Sequence, residues 1–480
     1  MKQLLKRWHT LPVGVKASAA YFVASMITKV IAYLVTPIFT RLMTPGEYGQ
    51  VSVYLTWKEI AGLIAMFCLS YGVFNNGLLD HENDRDRYSF SMVILANMIT
   101  ASVTVILLTT SGLVGGFSKM PLPFLLVMLT GFFFQPALDF WMARQRYEYR
   151  YKAPVLVSVS VSFLSAAAAV CGIYVFRNNR TFGRVLGSES VFILAGLFFY
   201  IYLARKSKGK VRRSYWKEAV TFNLPLIPHY LSSYLLGSSD KLMIDFLVGS
   251  SATAYYSVAH AIAAVVTIIW SAANTSLIPF TYENCKKGNY AAISRVTVPI
   301  LAVFSVACVF IILLAPEAIA LVATSDYREA IYVVPPIVGG VFFQTTYYIY
   351  ANILYYFKKP KYVMFGSLTA TFLNLLLNYI FISRFGYIAA GYTTLFCYFV
   401  QATIDYFAMR HVAGQSVYRM DQIGLLSGGV VLISLFSNLL YRSTLLRYVI
   451  VGLLLVLGAL FHKKLIGIFL FSKGEKKSET

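Results

Sequence analysis

The sequence predicts an all-α integral membrane protein, and three observations carry that prediction. The 480-residue chain is 58% hydrophobic and 13% charged, with a mean hydropathy of +0.65, outside the range of ordinary soluble domains. Apolar stretches of roughly 20 residues recur along the chain, each long enough to cross a hydrocarbon core about 30 Å thick as a helix. The basic residues between these stretches alternate in density, as membrane topology requires.

Fourteen apolar stretches, numbered spans 1 to 14, lie between charged or turn-rich breaks. Spans 1 to 6 run near 17–40, 49–73, 88–114, 122–142, 153–175 and 185–203. Spans 7 to 12 run near 220–247, 252–281, 296–324, 331–356, 362–382 and 386–408, and spans 13 and 14 near 422–440 and 446–462. Because the first apolar run continues past the basic start without a cleavage site, we expect no cleaved signal peptide.

The distribution of Lys and Arg orients these spans. The termini and the even-numbered loops hold 30 of the 42 basic residues. The opposite loops hold nine, counting Arg447 at the start of span 14 with the loop before it, and the spans hold three. Since cytoplasmic loops are enriched in Lys and Arg, both termini are predicted to be cytoplasmic. The alternation of basic residues supports an even number of spans more firmly than it supports fourteen. Twelve spans would also fit the alternation. A net charge of +22 placed in short loops argues against nucleic-acid binding.

The most basic loop divides the chain into predicted domains. Residues 1–204 form an N-terminal lobe, 205–217 a basic cytoplasmic linker, 218–410 a C-terminal lobe, and 411–480 two further helices and a basic tail. The segment LMTPGEYGQVSVY from Leu42 is weakly similar to LVGSSATAYYSVA from Leu247, which favours an internal repeat. Such repeats are common in alternating-access transporters.

Motifs of the common enzyme classes are absent from the sequence. There is no GxGxxG, Walker, HExxH or GxSxG pattern. His229 and His260 lie within spans but lack the helical partners of a metal site. The five cysteines fit packing positions rather than disulfides, and Cys285 is placed in a loop. We therefore expect no catalysis, no metal site and no cofactor.

Charged residues within the spans are the candidates for function. A charge at the bilayer centre costs roughly 2.5 to 3.5 kcal/mol and should face a cavity or a partner. Lys29, Lys58 and Lys241 suit an anionic substrate such as a pyrophosphate head group. The alternative is that Lys58 pairs with a neighbouring carboxylate and that Lys241 and Asp240 brace each other or snorkel towards the interface. Asp240 and Asp405 are candidates for ion coupling. Glu59, Asp139, Glu189 and Asp245 are further acids within the spans.

Tyrosines and prolines mark spans 7 and 10. The segment QTTYYIYANILYYF places Gln344, Tyr348 and Asn352 along span 10, where they suit contact with sugar rings; the alternative is an interfacial tyrosine belt. Proline pairs, which bend helices, lie in both spans: Pro225 and Pro228, and Pro335 and Pro336. Membrane helices also tolerate proline without moving.

Two segments resemble the polysaccharide flippases of the multidrug/oligosaccharidyl-lipid/polysaccharide exporter superfamily. They are TPIFTRLMTPGEYGQVSVY, from Thr36 to Tyr54, and PLIPHYLSSYLLGSSDKLMIDFLVGSSATAYYSVAHAI, from Pro225 to Ile262. The Thr-Arg-Leu-x-Thr-Pro-x-Glu-Tyr-Gly turn and the Ser-Asp-Lys pattern with Tyr-Ser-x-Ala carry the resemblance, which spans most of the chain.

The resemblance implies two six-helix lobes in a V around a cationic cavity, with two C-terminal helices outside. It implies an undecaprenyl-pyrophosphate-linked repeat unit of O-antigen, capsule or exopolysaccharide as substrate, moved across a bacterial inner membrane by ion gradients without ATP hydrolysis. Lys29, Arg41, Lys58 and Lys241 are expected to contact the phosphates. Membrane lipids, glycosyltransferases and the polymerase of the same pathway are candidate partners.

Two alternatives stay open. A drug/cation antiporter of the same superfamily should have a cavity dominated by carboxylates, whereas this chain has three lysines within its spans. A membrane-embedded O-antigen polymerase or ligase should carry a large outer loop with catalytic Arg or His. The longest such loop here runs only from about Ala315 to Arg328.

Overall fold

The structure, a computed structural model, describes residues 12–71, 73–110 and 120–456. These residues form helices joined by short loops, and none of them forms a β-strand. The helices are α1 (Val13–Leu42), α2 (Pro45–Ala65), α3 (Val73–Asp80), α4 (Arg85–Thr110), α5 (Leu122–Tyr147), α6 (Lys152–Val175), α7 (Arg180–Lys206), α8 (Ser214–Asn223), α9 (Ile227–Leu247), α10 (Ser250–Lys286), α11 (Tyr290–Leu313), α12 (Ala315–Val322), α13 (Val334–Tyr356), α14 (Pro360–Phe385), α15 (Ile388–Ala413), α16 (Met420–Leu440) and α17 (Thr444–Val456).

The described part of each predicted span overlaps one or two helices, and the ends of spans 3 and 14 lie outside the described residues. Among the described helices, nine are long and apolar enough to cross a membrane. The number becomes ten if the 3₁₀-helix Ser325–Tyr332 and α13, which meet at 48°, form one broken span. Helices α2, α9 and α15, which carry in-span charges, fall outside this number. The all-helical membrane fold is confirmed, whereas the number fourteen stays a prediction.

Three predicted spans are shorter than expected because the chain breaks inside them. Span 2 ends with α2 at Ala65 and is followed by a 3₁₀ turn, Leu69–Tyr71. Span 7 divides into α8 and α9, and span 9 into α11 and α12. Cys285, predicted in a loop, is buried in the last turn of α10.

The proline pairs lie at helix starts rather than in helix interiors. Pro225 lies in the turn between α8 and α9, and Pro228 in the first turn of α9. Pro335 and Pro336 occupy the first turn of α13. The first turn of a helix has no intrahelical partner for its N–H groups, so proline costs nothing there. Pro225 lies at the break that divides span 7, and Pro335 follows the 48° bend before α13 in span 10, so the prolines lie at a break in each span. Their role in conformational change stays a prediction.

The described residues fall into two compact units, divided between Tyr234 and Leu235. In the first unit, an apolar core is built from α3, α4, α5, α7 and α8. Phe74 stacks on Phe140 at 4.5 Å between ring centroids, and Tyr215 of α8 packs edge-on against Tyr88 at 5.3 Å. The C-terminal part of the predicted basic linker, 205–217, therefore packs into the core of the first unit.

In the second unit, α13 lies at the centre. Most of its residues are buried, and it packs against α10, α14, α15 and α16. Small residues permit this close packing: a Cβ at Gly391 of α15 would lie 2.8 Å from the ring of Pro336. The packing brings buried polar side chains of α9, α10, α14 and α15 together.

Candidate functional site

The interior of the second unit holds a hydrogen-bonded network around Asp240. The carboxylate lies on α9 and is 1% exposed. It accepts hydrogen bonds from the Asn378 amide of α14 at 2.6 Å, the Thr394 hydroxyl of α15 at 2.8 Å and the Tyr256 hydroxyl of α10. Four helices therefore converge on one carboxylate.

A second layer of amides orients these donors. The Asn374 amide donates to the Thr394 hydroxyl at 2.9 Å, and the Asn374 carbonyl accepts from Asn378 at 3.1 Å and from Ser239 at 3.3 Å. Thr393 donates to the side-chain carbonyl of Asn378. Asn374 and Asn378 lie one turn apart on α14 and are both fully buried.

The network joins one acidic group to several neutral oxygens. The donors to Asp240 are a phenol, an alcohol and an amide, so an ionised Asp240 keeps a net negative charge inside the unit. Carboxylate, hydroxyl and amide oxygens are the ligands that hard cations prefer. An ionisable residue inside a predicted membrane span, as Asp240 is, is by default a candidate functional residue. The arrangement can bind a proton or one small cation.

Asp405, the second predicted coupling residue, lies on α15 outside this network. Its side chain is fully buried, and neither carboxylate oxygen has a hydrogen-bond partner among the described residues. A Cβ at Gly366 of α14 would lie 3.0 Å from Asp405 Oδ1, which is closer than ordinary contact. The absence of a side chain at Gly366 therefore makes room for the Asp405 carboxylate. An unpaired buried carboxylate is costly when it is charged.

Lys58 forms an ion pair in the first unit. Its ammonium lies 2.9 and 2.8 Å from the two oxygens of Glu189 on α7, which is 2% exposed. Asp139 of α5 lies within electrostatic range of Lys58 and is hydrogen-bonded by Gln135. Lys58 therefore has the carboxylate partner that the alternative interpretation anticipated, supplied by a distant part of the chain.

The other three predicted phosphate contacts are Lys29, Arg41 and Lys241. Lys29 is exposed on α1, amid exposed apolar residues such as Ile27 and Val30. Arg41 is exposed near the end of α1 and donates to the Pro37 carbonyl at 2.9 Å. Lys241 is half-buried, beside Asp240 in sequence. Their role in binding phosphate stays a prediction.

The residues predicted to contact sugar form internal hydrogen bonds. The Gln344 amide donates to the Tyr398 hydroxyl at 3.1 Å, and the buried Asn352 amide donates to Asn274 of α10 at 2.9 Å. Tyr348 is half-buried, and its ring centroid lies 4.5 Å from that of Tyr347. In this conformation the two amides stabilise the second unit, and sugar contact stays a prediction.

Sequence reasoning identified Asp240 but missed its partners. Asn374 and Asn378 are spaced four residues apart in the apolar segment LNLLLNY, and Thr393 and Thr394 are adjacent in span 12. Polar residues one turn apart in an otherwise apolar helix face the same neighbour, and that signal would have identified Asn374 and Asn378. Tyr256 carried no such signal, because it is one of 35 tyrosines.

Comparison with known proteins identifies the family. Residues 15–284, more than half of the chain, match the family described as polysaccharide biosynthesis protein. A Haemophilus influenzae protein named for the Lsg locus is 23% identical over 379 residues, which cover 74% of this chain and 88% of that protein. A second, uncharacterized membrane protein of the same organism is 20% identical over 377 residues, covering 75% and 88%.

Solved structures share the fold at low identity. The lipid II flippase MurJ in an inward closed conformation matches with a TM-score of 0.70 at 12% identity, covering 94% of this chain and all of that one. An inward-facing multidrug resistance MATE family transporter of the MOP superfamily matches with a TM-score of 0.61 at 13% identity, covering 80% and 94%. The chain therefore belongs to the polysaccharide biosynthesis protein family and is a multi-pass membrane protein with the fold of the multidrug/oligosaccharidyl-lipid/polysaccharide exporter superfamily.

Proposed function

We propose that this protein moves an undecaprenyl-pyrophosphate-linked oligosaccharide repeat unit from the cytoplasmic leaflet to the periplasmic or outer leaflet by alternating access. The buried Asp240 carboxylate is the observation that carries the transport part of this proposal. The family match and the likeness to a lipid II flippase support the substrate. The protein acts as a transporter and not as an enzyme, with both termini in the cytoplasm.

A polar path is needed because a charged glycan cannot cross hydrocarbon, whereas its polyprenyl tail can stay in lipid. Basic side chains bind the pyrophosphate without hydrolysing it, and Lys29, Arg41, Lys58 and Lys241 are the residues assigned to this role. Lys58 binds the Glu189 carboxylate in this conformation, so a phosphate has to compete with that partner.

Ion binding at Asp240 supplies the coupling. A proton or small cation neutralises the carboxylate, and the hydroxyls and amides around it provide neutral oxygen ligands. Four helices change partners when that site is loaded or emptied, which links the ion to the arrangement of α9, α10, α14 and α15. Asp405 is assigned as a second site that takes a proton, because its oxygens have no described partner.

An apolar groove in the second unit suits a lipid-linked substrate. It encloses about 590 Å³ between α13, α15 and α16. Phe396, Phe399 and Phe407 line it and are each about half exposed. A flexible hydrocarbon chain can pack against such rings by van der Waals contact.

A drug/cation antiporter is the second candidate, because the chain also shares the fold of a multidrug transporter. The two functions differ in substrate charge. A lipid-linked pyrophosphate is anionic and needs the lysines, whereas a cationic drug needs the carboxylates.

The test is transbilayer movement of a labelled undecaprenyl-pyrophosphate oligosaccharide in proteoliposomes with imposed proton or sodium gradients. We expect protein-dependent flipping that is lost in Lys29→Ala and Lys241→Ala at matched reconstitution. Lys287→Ala, at the end of α10 in an exposed i,i+4 pair with Glu283, is the control and should flip normally. Export of small cations with no flipping of any lipid-linked glycan would favour the antiporter.

A further inference from the structure

The Lys58–Glu189 pair joins two groups of unequal accessibility. Glu189 is 2% exposed, and both of its oxygens lie within 2.9 Å of one ammonium. Lys58 is 14% exposed, and the next residue on α2, Glu59, is exposed. A ligand that approaches this face of α2 therefore reaches the ammonium before the carboxylate.

Other groups make the cluster rich in acid. Asp139 of α5 interacts electrostatically with Lys58 and with Glu59 of α2. Three carboxylates, Glu59, Asp139 and Glu189, therefore accompany one lysine. From α2, the buried Tyr54 hydroxyl has no hydrogen-bond partner among the described residues and lies within electrostatic range of Glu189. Gly131 of α5 leaves space beside Glu189, because a Cβ there would lie 3.5 Å from Oε2.

We infer that a pyrophosphate replaces the Glu189 carboxylate on Lys58 and that Glu189 then takes up a proton. The inference rests on the proposed function, in which the substrate carries a pyrophosphate. The Lys58 ammonium keeps its protons and moves its hydrogen bonds from carboxylate to phosphoryl oxygens. The proton comes from water and binds a Glu189 oxygen, so substrate binding and proton uptake are coupled in the first unit.

When a phosphate takes Lys58, protonation of Glu189 is more favourable than leaving Glu189 buried and charged. A carboxylate that loses its cation while it stays buried is strongly destabilised. Protonation removes that cost. Lysine suits the exchange because its ammonium is a compact charge on a flexible stem. The Phe192 ring, 5.3 Å from the ammonium, helps to hold Lys58 in place during the exchange.

The test measures protons taken up when full-length protein in nanodiscs binds farnesyl pyrophosphate. Calorimetry at pH 8 in buffers of different ionisation enthalpy reports this number, and at that pH the pyrophosphate itself is almost fully ionised, since a second phosphate pKa is about 6. We expect uptake of about one proton per ligand by the wild type and almost none by Glu189→Gln. Glu82→Gln, at an exposed acid paired with Arg85, is the control and should keep the wild-type uptake. Glu59→Gln tests the exposed acid beside Lys58.

Each other result overturns the inference. Binding by the wild type without proton uptake would do so, even if Glu189→Gln does not fold, and so would equal uptake by wild type and Glu189→Gln. Loss of uptake in Glu59→Gln alone would assign the proton to a different carboxylate. Absence of farnesyl pyrophosphate binding also overturns it, and the flipping assay then shows separately whether the proposed function survives.

Discussion

Asp240 is a buried carboxylate that accepts hydrogen bonds from three uncharged side chains, those of Asn378, Thr394 and Tyr256. Asp240→Asn keeps the size of the side chain but removes the charge that a proton or cation would neutralise. We expect transport driven by an ion gradient to fall by more than about tenfold, in line with loss of a charged partner worth over 1.4 kcal/mol. Gradient-driven flipping in proteoliposomes measures this effect.

Asp245→Asn is the matched control for Asp240→Asn. Asp245 lies on the same helix but accepts a hydrogen bond from Ser250 at 2.6 Å near the helix end, outside the network. Its variant should respond to the gradient like the wild type. If Asp240→Asn also responds normally, ion coupling does not use this carboxylate.

Glu317 and Arg447 form a pair that connects α12 with α17. The guanidinium lies 2.5 and 2.7 Å from the two carboxylate oxygens, and Tyr448 donates to one of them at 2.8 Å. Partial burial raises the pKa of Glu317, but the hydrogen bonds from Arg447 and Tyr448 outweigh it and hold the pKa below its usual value of 4.5. The pair therefore stabilises the protein above about pH 4.5 and is lost as the pH falls through the lower folded-state pKa.

Glu317→Gln should lower the free energy of unfolding at pH 7 by about 1 kcal/mol, a value that allows for the exposure of Glu317 to solvent. The difference should shrink as the pH falls from 7 to 3, because the wild-type carboxyl takes up a proton as the pH passes through its lowered pKa. Thermal unfolding in detergent at both pH values measures it. Glu329→Gln, an exposed acid before α13, should show no such pattern; a pH-independent loss in Glu317→Gln would point to packing instead of charge.

Single residues show where sequence reasoning stops. Asp240, Asp405 and Lys58 could be identified because a charge in an apolar span is rare. Their environments could not be predicted, because Glu189 lies 131 positions from Lys58 and Asn378 138 positions from Asp240. Lys29 carried the same signal and is exposed, since a charge alone does not reveal which side of a helix is packed.

Helices were predictable from periodicity and length, but their breaks depended on tertiary structure. The apolar run of span 9 continues past Leu314 without a charged residue. A new helix, α12, nevertheless begins at Ala315, with Pro316 in its first turn. Span 2 ends early because Phe67 and Cys68 adopt left-handed backbone conformations. Neither residue type signals that conformation in a sequence.

The contact between α6 and α7 depends on glycine. A Cβ at Gly183 would lie 2.2 Å from the Gly172 carbonyl oxygen, and one at Gly187 would lie 2.1 Å from the Ala168 carbonyl oxygen. Gly183→Ala must therefore separate two backbones. We expect a loss of about 1 to 3 kcal/mol in the free energy of unfolding, visible as a lower unfolding temperature and a smaller monodisperse yield.

Gly429→Ala provides the comparison for Gly183→Ala. This glycine lies on α16, where a Cβ would meet no atom within 4 Å. The alanine should be neutral or slightly stabilising, because alanine has the higher helix propensity. Equal behaviour of the two variants would mean that the close approach of α6 and α7 relaxes at no cost.

At the scale of the whole molecule, the topology predicted from basic residues remains to be measured. Lys287, just beyond the C-terminus of α10, and Arg384, in the last turn of α14, are both exposed, and spans 9, 10 and 11 lie between them. An odd number of crossings places them on opposite sides of the membrane. With cytoplasmic termini, Lys287 lies inside and Arg384 outside.

Cysteine labelling tests this arrangement. In a Cys171→Ala background, which removes the exposed member of the five free cysteines, a membrane-impermeant maleimide should label Arg384→Cys in spheroplasts and Lys287→Cys only after permeabilisation. The prediction depends on the 3₁₀-helix Ser325–Tyr332 and α13 acting together as one crossing. If both positions are labelled from the outside, that bent pair is a re-entrant loop, the number of spans falls by one, and the termini lie on opposite sides of the membrane.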